Sequence, residues 1–234
     1  MDGVALSAPP FALKSIIGPN GAGKTTLFNL LTGQLKPSEG WIFLKGHDIT
    51  GIGPAERVLL GMGRSFQLTN VFPQLTVLEN VRVAVQSRNG KGFNFWRNFR
   101  AFSWLEDQAY DILKRVLLDD KWAVAASGLT HGEQRKLEIA ILLALEPDIL
   151  LLDEPTAGMG QEEVPAILEI LEDIKEKKNR TILLVEHKMD MILKLSDTIA
   201  VLQEGRLIAD GQPEEIYQSR VVQEAYLGGG AKVE

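Results

Sequence analysis

The chain of 234 residues contains no cysteine. This absence excludes disulfide bonds, thiolate metal sites and cysteine nucleophiles, and it suits a reducing compartment. The sequence also has no apolar run long enough to span a bilayer, and its N-terminus shows no basic segment followed by an apolar stretch. We therefore expect a cytoplasmic protein that reaches a membrane only through a partner.

The sequence has no excess of positive charge, because 25 Lys and Arg residues face 31 Asp and Glu residues, for a net charge of −6. An acidic chain binds the phosphate backbone of nucleic acids poorly, so we expect no nucleic-acid partner. Aromatic residues make up only 7% of the chain, and many of them lie between Phe93 and Trp122. This cluster could be a base-stacking platform, but we favour a small helical core with a partner-facing surface.

Strand-like and helix-like segments alternate, which is typical of an α/β fold with a largely parallel sheet. Ile149–Leu152 and Thr181–Val185 are fully apolar, as in strands buried on both faces. Glu204 and Gly205 separate two strand-like runs and predict a hairpin. The other expected elements are strands at Phe11–Ile17, Trp41–Leu44 and Arg64–Phe66, and helices at Thr25–Leu31, Pro54–Leu60, Glu133–Leu145, Val164–Lys178, Lys188–Leu195 and Pro213–Gln218.

The sequence pattern changes between residues 85 and 127, and this change indicates the domain organisation. Residues 85–127 are predicted to be a mostly helical insertion, because the apolar spacing from Leu105 to Leu117 is helical. Residues 1–84 and 128–227 would then form one core around a shared sheet. We expect the glycine-rich tail, residues 228–234, to be loose.

The most specific motif follows the pattern G-x-x-x-x-G-K-[ST] between an apolar strand and a helix. Its residues are Gly18, Pro19, Asn20, Gly21, Ala22, Gly23, Lys24 and Thr25. Glycines let successive backbone N–H groups turn toward a phosphate, and the helix N-terminus adds positive potential. We predict that Lys24 binds the β- and γ-phosphates of a nucleotide, that Thr25 ligates Mg²⁺ and that Thr26 also contacts the nucleotide. A glycine-rich turn with a chance lysine is the alternative, but every fixed position and both flanking elements agree with the motif.

Asp153 and Glu154 directly follow the apolar run Ile149–Leu152. Ligands of parallel sheets bind beyond the carboxyl ends of the strands, so these carboxylates are expected near the phosphate loop. We predict that Asp153 holds Mg²⁺, directly or through water. We predict that Glu154 takes the proton from a water that attacks the γ-phosphorus.

With a third segment, the chain resembles an ATP-binding-cassette (ABC) ATPase. The segment Leu129–Gln134, with the sequence Leu-Thr-His-Gly-Glu-Gln, is similar to the family signature Leu-Ser-Gly-Gly-Gln. Thr130 takes the place of the serine and Gly132 that of the second glycine, whereas His131 and Glu133 depart from the pattern. The resemblance implies that Thr130 and Gly132 face the γ-phosphate of a nucleotide held by a second subunit.

Two single residues complete the resemblance. Gln67 matches the glutamine loop of the family, which contacts Mg²⁺ or the attacking water, and His187 matches the switch histidine that contacts the γ-phosphate. The segment Thr156–Gly160 takes the place of the family's D-loop, but Gly160 lies where an aspartate is usual. A contact from that carboxylate to the other subunit is therefore not expected here.

The resemblance extends from about Phe11 to Leu227 and implies a P-loop NTPase core with a mostly parallel sheet, a small antiparallel β part and a helical subdomain. Several segments look like the subfamily that energises uptake of branched-chain amino acids, namely Gly46–Gly51, Arg64–Gln67, Leu75–Val81, Leu137–Ala140, Ala157–Met159 and Glu224–Gly228. Importers of urea and short amides have almost the same motifs, and lipopolysaccharide-export ATPases are more distant relatives of similar size.

The resemblance implies an ATP- and Mg²⁺-dependent ATPase on the inner face of the cell membrane. Its expected partners are transmembrane permease subunits, an identical or sister ATPase subunit and, indirectly, a periplasmic or extracellular substrate-binding protein. An ABC protein acting on DNA or ribosomes usually has long coiled-coil insertions or two cassettes, and neither is present. A small-molecule kinase with a phosphate loop would have no use for Gln67, Leu129–Gln134 and His187.

One departure concerns the N-terminus, where only seventeen residues precede Gly18. Members of the family usually carry further strands and an aromatic residue that stacks on adenine before this loop. Met1–Pro10 does not have the pattern of those strands, and Phe11 is expected in the core. Two explanations stay open, a shortened start or a missing adenine platform.

Overall fold

The computed structural model describes residues 1–65, 71–88 and 103–227. Their contacts divide the chain into two compact units. The first contains the described residues of Met1–Arg64, Asp148–Glu154 and Lys177–Glu234, and the second those of Ser65–Pro147 and Pro155–Glu176. The extent of the helical insertion, residues 85–127, stays a prediction.

The secondary structure alternates along the chain as the sequence predicts. The strands are β1 (Leu13–Ile17), β2 (Phe43–Leu44), β3 (His47–Asp48), β4 (Met62–Arg64), β5 (Ile149–Asp153), β6 (Thr181–Val185), β7 (Thr198–Gln203) and β8 (Arg206–Gly211). The helices are α1 (Lys24–Leu31), α2 (Pro54–Leu59), α3 (Val77–Arg88), α4 (Ser103–Arg115), α5 (His131–Ala144), α6 (Val164–Glu176), α7 (Met189–Leu195), α8 (Pro213–Gln218) and α9 (Arg220–Leu227).

The first unit is built on a six-stranded sheet with the order β4-β5-β6-β1-β7-β8. All neighbouring strands in it are parallel except β7 and β8, which form the predicted hairpin. Strands β2 and β3 form a separate two-stranded antiparallel sheet. The expectation of a mostly parallel sheet with a small antiparallel part is confirmed.

Burial explains why the central strands are continuously apolar. Every residue of β1 and β6 is buried, because helices cover both faces of a parallel sheet. On one face Ile16 and Leu151 pack with Phe28 of α1. On the other face Ile17 packs with Ile192 of α7. Alternate residues of each strand thus serve opposite layers of the core.

Some element ends differ from the sequence prediction. Strand β1 begins at Leu13 rather than Phe11, because Phe11 adopts a left-handed φ of 62° that ends an extended strand, and its side chain is 56% exposed rather than in the core. Strand β4 spans Met62–Arg64 rather than Arg64–Phe66, since Gly61 turns the chain and its carbonyl accepts the N–H of Ile149 at 3.0 Å. Phe66 lies outside the described residues.

In the second unit, helices α3, α4 and α5 pack against one another. Helix α3 was not predicted from periodicity, but its start carries a capping signal, Thr76 followed by Glu79. The Glu79 carboxylate accepts the Thr76 N–H at 2.7 Å, and the Thr76 hydroxyl accepts the Glu79 N–H at 3.1 Å. Among the described residues, no helix has the length and apolarity that a membrane span requires.

Candidate functional site

The loop between β1 and α1 has the backbone conformation that its glycines permit. Gly18 has a φ of 153°, and a Cβ there would collide with the carbonyl oxygen of Leu202 on β7. Gly23, the residue before α1, has a φ of 104°, which residues with a side chain rarely adopt. The two outer glycines of the motif are therefore required by close approach and by backbone conformation.

The N-terminus of α1 is open to an anion. No side chain among the described residues caps it, and its first turn holds no acidic residue. Its early N–H groups lack partners within the helix and add to the positive end of the helix dipole. The side chains of Thr25 and Thr26 are exposed beside them. In contrast, Ala22 belongs to the core, so only its backbone is available to a ligand.

Lys24 is buried and folds back onto its own loop. Its Nζ donates to the carbonyl oxygens of Gly18 at 2.7 Å and Pro19 at 3.1 Å. Desolvation lowers the pKa of Lys24, while the charges of Glu154 and Asp153 act in the opposite direction. The ammonium group is thus electrostatically coupled to the two carboxylates that follow β5.

Asp153 lies at the end of β5 and is 2% exposed. Its Oδ2 accepts a hydrogen bond from Nη2 of Arg64, the last residue of β4, at 2.9 Å. Adjacent parallel strands place both residues at the carboxyl edge of the sheet. The sequence identified Asp153 by its position after an apolar strand, but it gave no signal for its arginine partner.

Glu154 leaves the sheet in a strained conformation. Its φ is 50°, in the left-handed region, while its N–H still donates to the Val185 carbonyl at 2.9 Å. Nonglycine residues in this region cost free energy and often occur at functional sites. The conformation brings Oε1 of Glu154 within 2.8 Å of Nε2 of His187, which follows β6.

Glu186 stabilises the backbone around His187. The sequence analysis did not identify this glutamate as a functional candidate. Its buried carboxylate accepts the backbone N–H of His187 at 2.7 Å and that of Lys188 at 3.3 Å. These contacts fix the chain between β6 and the start of α7 at Met189. A carboxylate at a strand end, directly before a histidine, is the sequence signal that could have suggested this support.

In the second unit, Thr130 is the N-cap of α5 in a reciprocal capping box with Glu133. The Thr130 hydroxyl accepts the Glu133 N–H at 3.2 Å, and the Glu133 carboxylate accepts the Thr130 N–H at 2.8 Å. This backbone hydrogen bond is the main reason why the pKa of Glu133 is lowered. Glu133 therefore stabilises the start of the helix through the capping box.

Gly132 in the first turn of α5, and Gly158 in the segment that contacts this turn, have little room for a side chain of their own. A Cβ on Gly132 would overlap the carboxylate of Glu163, which also accepts the Gly160 N–H at 3.1 Å. A Cβ on Gly158, whose φ is 73°, would lie 3.3 Å from Cε1 of His131. The segment around Gly158 and Gly160 thus packs against the start of α5 without side chains of its own at these two positions.

The structure brings the predicted residues of the first unit into one electrostatic group, formed by Lys24, Asp153, Glu154 and His187, with Thr25 next to Lys24. Thr130 and Gly132 lie in the second unit. Gln67 lies outside the described residues, so its role stays a prediction. Asn20 and Gly21 are exposed in the loop.

The family described as "ABC transporter" matches residues 1–157.

The sequence similarity to curated proteins extends over almost the whole chain. The high-affinity branched-chain amino acid transport ATP-binding protein LivG of Escherichia coli is 40% identical over 97% of this chain and 91% of its own length. The corresponding protein BraF of Pseudomonas aeruginosa is 37% identical over 97% and 91%. A probable branched-chain amino acid transport ATP-binding protein of Archaeoglobus fulgidus is 36% identical over 91% and 83%.

Solved structures share the fold. The ADP conformation of an ATP-binding cassette from an ABC transporter superposes with a TM-score of 0.81 at 29% identity, over 97% of this chain and 92% of that chain. A dimeric post-hydrolysis state of another ATP-binding cassette, bound to ADP and Pi, gives a TM-score of 0.74 at 25% identity, over 89% and 88%.

Proposed function

This chain belongs to the ABC transporter family and is an ABC ATPase, and we propose that it energises an importer of branched-chain amino acids. One observation carries the substrate class. The similarity to proteins named for branched-chain amino acid transport covers 97% of the chain, at identities of 40% and 37% in two bacterial relatives. It therefore includes the second unit as well as the nucleotide motifs.

The nucleotide would bind at the loop from Gly18 to Thr25. The uncapped N-terminus of α1 provides N–H donors for the β-phosphate, and Lys24 provides the positive charge for the β- and γ-phosphates. Its ammonium group now donates to the carbonyls of Gly18 and Pro19, so it must exchange these contacts for phosphate oxygens. The carbonyls hold the charged group inside the loop until the phosphates arrive.

The donor set fits Mg²⁺, which prefers oxygen ligands and binds through one or two protein groups together with phosphates. The exposed hydroxyl of Thr25 and the carboxylate of Asp153 are hard oxygen ligands, and Gln67 is a third candidate. Mg²⁺ bound there would neutralise charge on the β- and γ-phosphate oxygens.

Hydrolysis requires a base close to the attacking water. We assign this role to Glu154, whose carboxylate projects from the left-handed turn after β5. His187 holds Oε1 of this carboxylate and would contact the γ-phosphate as charge develops on it. Glu186 supports the backbone of His187 from behind.

Half of the phosphate environment would come from a second ATPase subunit. Thr130 and Gly132 would face the γ-phosphate held by the partner, since the Thr130 oxygen accepts from Glu133 and keeps its own hydroxyl hydrogen for a ligand. ATP would then bind the closed pair more tightly than the open one, and hydrolysis would reverse this preference. A related cassette has been solved as a dimer with ADP and Pi.

The membrane partners would be permease subunits that bind the second unit near residues 68–78. Phe72 is 56% exposed there and offers an apolar contact. Such binding would place the chain on the inner face of the membrane. A substrate-binding protein on the other side would act only through the permease.

The decisive experiment co-expresses the chain with candidate permease and binding-protein subunits from the same genome and reconstitutes the purified complex in liposomes. We expect ATP hydrolysis to rise when the binding protein carries leucine, isoleucine or valine. A complex with Glu154→Gln should bind ATP without this rise. Stimulation by urea or short amides instead would overturn the substrate class, and the absence of Mg²⁺-dependent ATP binding would overturn the ATPase assignment.

A further inference from the structure

We propose that Arg64 is a positioning residue that orients the Asp153 carboxylate for Mg²⁺ and ties it to the phosphate-loop helix. The inference rests on the proposed function, because it concerns the metal site of the same ATPase. Arg64 belongs to the segment Arg64–Gln67 that resembles the branched-chain subfamily, but that resemblance gives the arginine no role. The inference follows from the register of two strands and from the contacts of one buried guanidinium group.

The register of the sheet directs Arg64 toward Asp153. Arg64 on β4 pairs with Leu151 on β5, and paired residues of neighbouring strands project to the same face. Asp153 lies two residues beyond Leu151 and therefore projects to that face as well. This face carries α1, because Leu151 packs in the same cluster as Phe28.

The guanidinium group joins the strand to the helix. Nη2 donates to Oδ2 of Asp153 at 2.9 Å, and Nη1 donates to Oδ1 of Asn29 on α1 at 2.6 Å. The group also lies over the ring of Phe28, 5.5 Å from its centroid. Helix α1 begins with Lys24 and Thr25, so Arg64 connects the carboxylate with the element that carries the phosphate loop.

The ion pair between Arg64 and Asp153 is buried, which strengthens its electrostatic interaction. The side chain of Arg64 is 8% exposed and that of Asp153 is 2% exposed, so water screens the pair little. The rigid fork of an arginine can serve two acceptors in fixed directions, which a lysine ammonium group does not reproduce in the same way. One oxygen of Asp153 is therefore held by a partner whose own position is fixed by Asn29 and Phe28.

Residues that orient a metal-binding side chain control metal affinity, and their loss typically costs about 10- to 100-fold in affinity or activity. Removing Arg64 should leave Lys24 and the backbone donors of the phosphate loop in place. Binding of the metal-free nucleotide should therefore change little. The gain in nucleotide affinity that Mg²⁺ provides should fall.

The test measures this gain directly. A fluorescent ATP analogue is titrated with the full-length protein, once with saturating Mg²⁺ and once with EDTA, and the ratio of the two affinities is the Mg²⁺ enhancement. For Arg64→Met we expect the enhancement to fall about tenfold while the affinity in EDTA stays unchanged. Arg64→Lys, which keeps a cation beside Asp153, should recover part of the loss. Arg220→Met, at a 90% exposed side chain, is the control and should match the wild type.

An unchanged enhancement in Arg64→Met would overturn the inference, and so would an equal loss of affinity with and without Mg²⁺. If this variant does not fold, as judged by circular dichroism, Asn29→Ala decides the question. This variant keeps the Arg64–Asp153 pair but removes the acceptor that lies 2.6 Å from Nη1 of Arg64, so the Mg²⁺ enhancement should fall by less than the roughly tenfold loss expected for Arg64→Met. An unchanged value for Asn29→Ala would reject the proposal. A wild type without any Mg²⁺ enhancement would instead reject the proposed function.

Discussion

Nε2 of His187 lies 2.8 Å from Oε1 of Glu154, although the two residues follow different strands of the sheet. The side chains of His187 and Glu154 are 43% and 27% exposed, so water and a ligand can reach both. When the Glu154 carboxylate is ionised it can only accept, so Nε2 of His187 must carry a hydrogen and donate a hydrogen bond to Oε1. The histidine then fixes the carboxylate and leaves Oε2 available to a water molecule.

We expect Glu154→Gln to bind ATP with nearly wild-type affinity but to lose turnover by at least about 100-fold, the usual contribution of a general base. The amide retains the shape of the side chain and a contact with His187, but it cannot accept a proton from water. Nucleotide affinity is measured by equilibrium titration, and turnover by phosphate release.

Glu214→Gln is a matched control, because it makes the same chemical change at an exposed position on α8. It should leave both quantities unchanged. Equal rates of phosphate release from Glu154→Gln and the wild type would remove Glu154 as the base.

Lys24→Ala should weaken ATP binding about 10- to 100-fold, because a hydrogen bond to a charged group contributes roughly 1.5–3 kcal/mol. The wild type should also lose affinity at alkaline pH. Burial lowers the pKa of Lys24 in the free protein below its ordinary 10.5, whereas bound phosphates favour the charged form. At a pH above the pKa that Lys24 has in the free protein, ATP binding must therefore be accompanied by uptake of a proton. The affinity for ATP falls as the pH rises through this pKa.

The matched variant for the pH effect is Lys24→Arg, which cannot deprotonate in this range. Affinities measured from neutral pH up to the ordinary lysine pKa of 10.5 should decline for the wild type and stay level for this variant, after correction for any common trend. Parallel curves for both proteins would assign the alkaline loss to another group. Unchanged affinity in Lys24→Ala would contradict the phosphate-loop assignment.

The sequence sufficed for those parts of the fold and site that depend on local pattern. The run before Asp153 is apolar throughout because β5 is buried on both faces, and this made both the strand and its carboxylates visible. The phosphate loop was visible for a similar reason, since Gly18 and Gly23 adopt conformations that few other residues tolerate. Local pattern was therefore enough to predict the phosphate loop and the two carboxylates after β5.

Contacts that depend on register or on a single turn could not be predicted. The pairing of Arg64 with Asp153 needs the alignment of β4 with β5, which no local pattern specifies. The support of His187 by Glu186 depends on how the chain leaves β6. Phe11 was expected in the core, but a left-handed turn exposes it, because the choice between strand and turn at one residue is decided by its neighbours.

A further prediction concerns the other end of α1. Arg57 is 1% exposed, and its guanidinium group donates to five carbonyl oxygens, those of Leu30, Leu31, Ile49, Thr50 and Ile52. Two of these carbonyls belong to the C-terminal turn of α1, where a cation is favoured by the helix dipole. Arg57→Met fills a similar volume but leaves the buried carbonyls without this donor. We expect the free energy of unfolding to fall by about 3 kcal/mol or more, measured by urea denaturation.

Lys45→Met provides the control, because it removes a cation of the same unit that is exposed to water. Lys45 pairs with Asp148 at 2.6 Å, but the two side chains are 59% and 53% exposed. An exposed ion pair contributes about 0–1 kcal/mol, so this variant should unfold close to the wild type. If Arg57→Met shifted the urea midpoint no more than Lys45→Met does, the five carbonyls would have found other donors. The end of α1 would then not depend on Arg57.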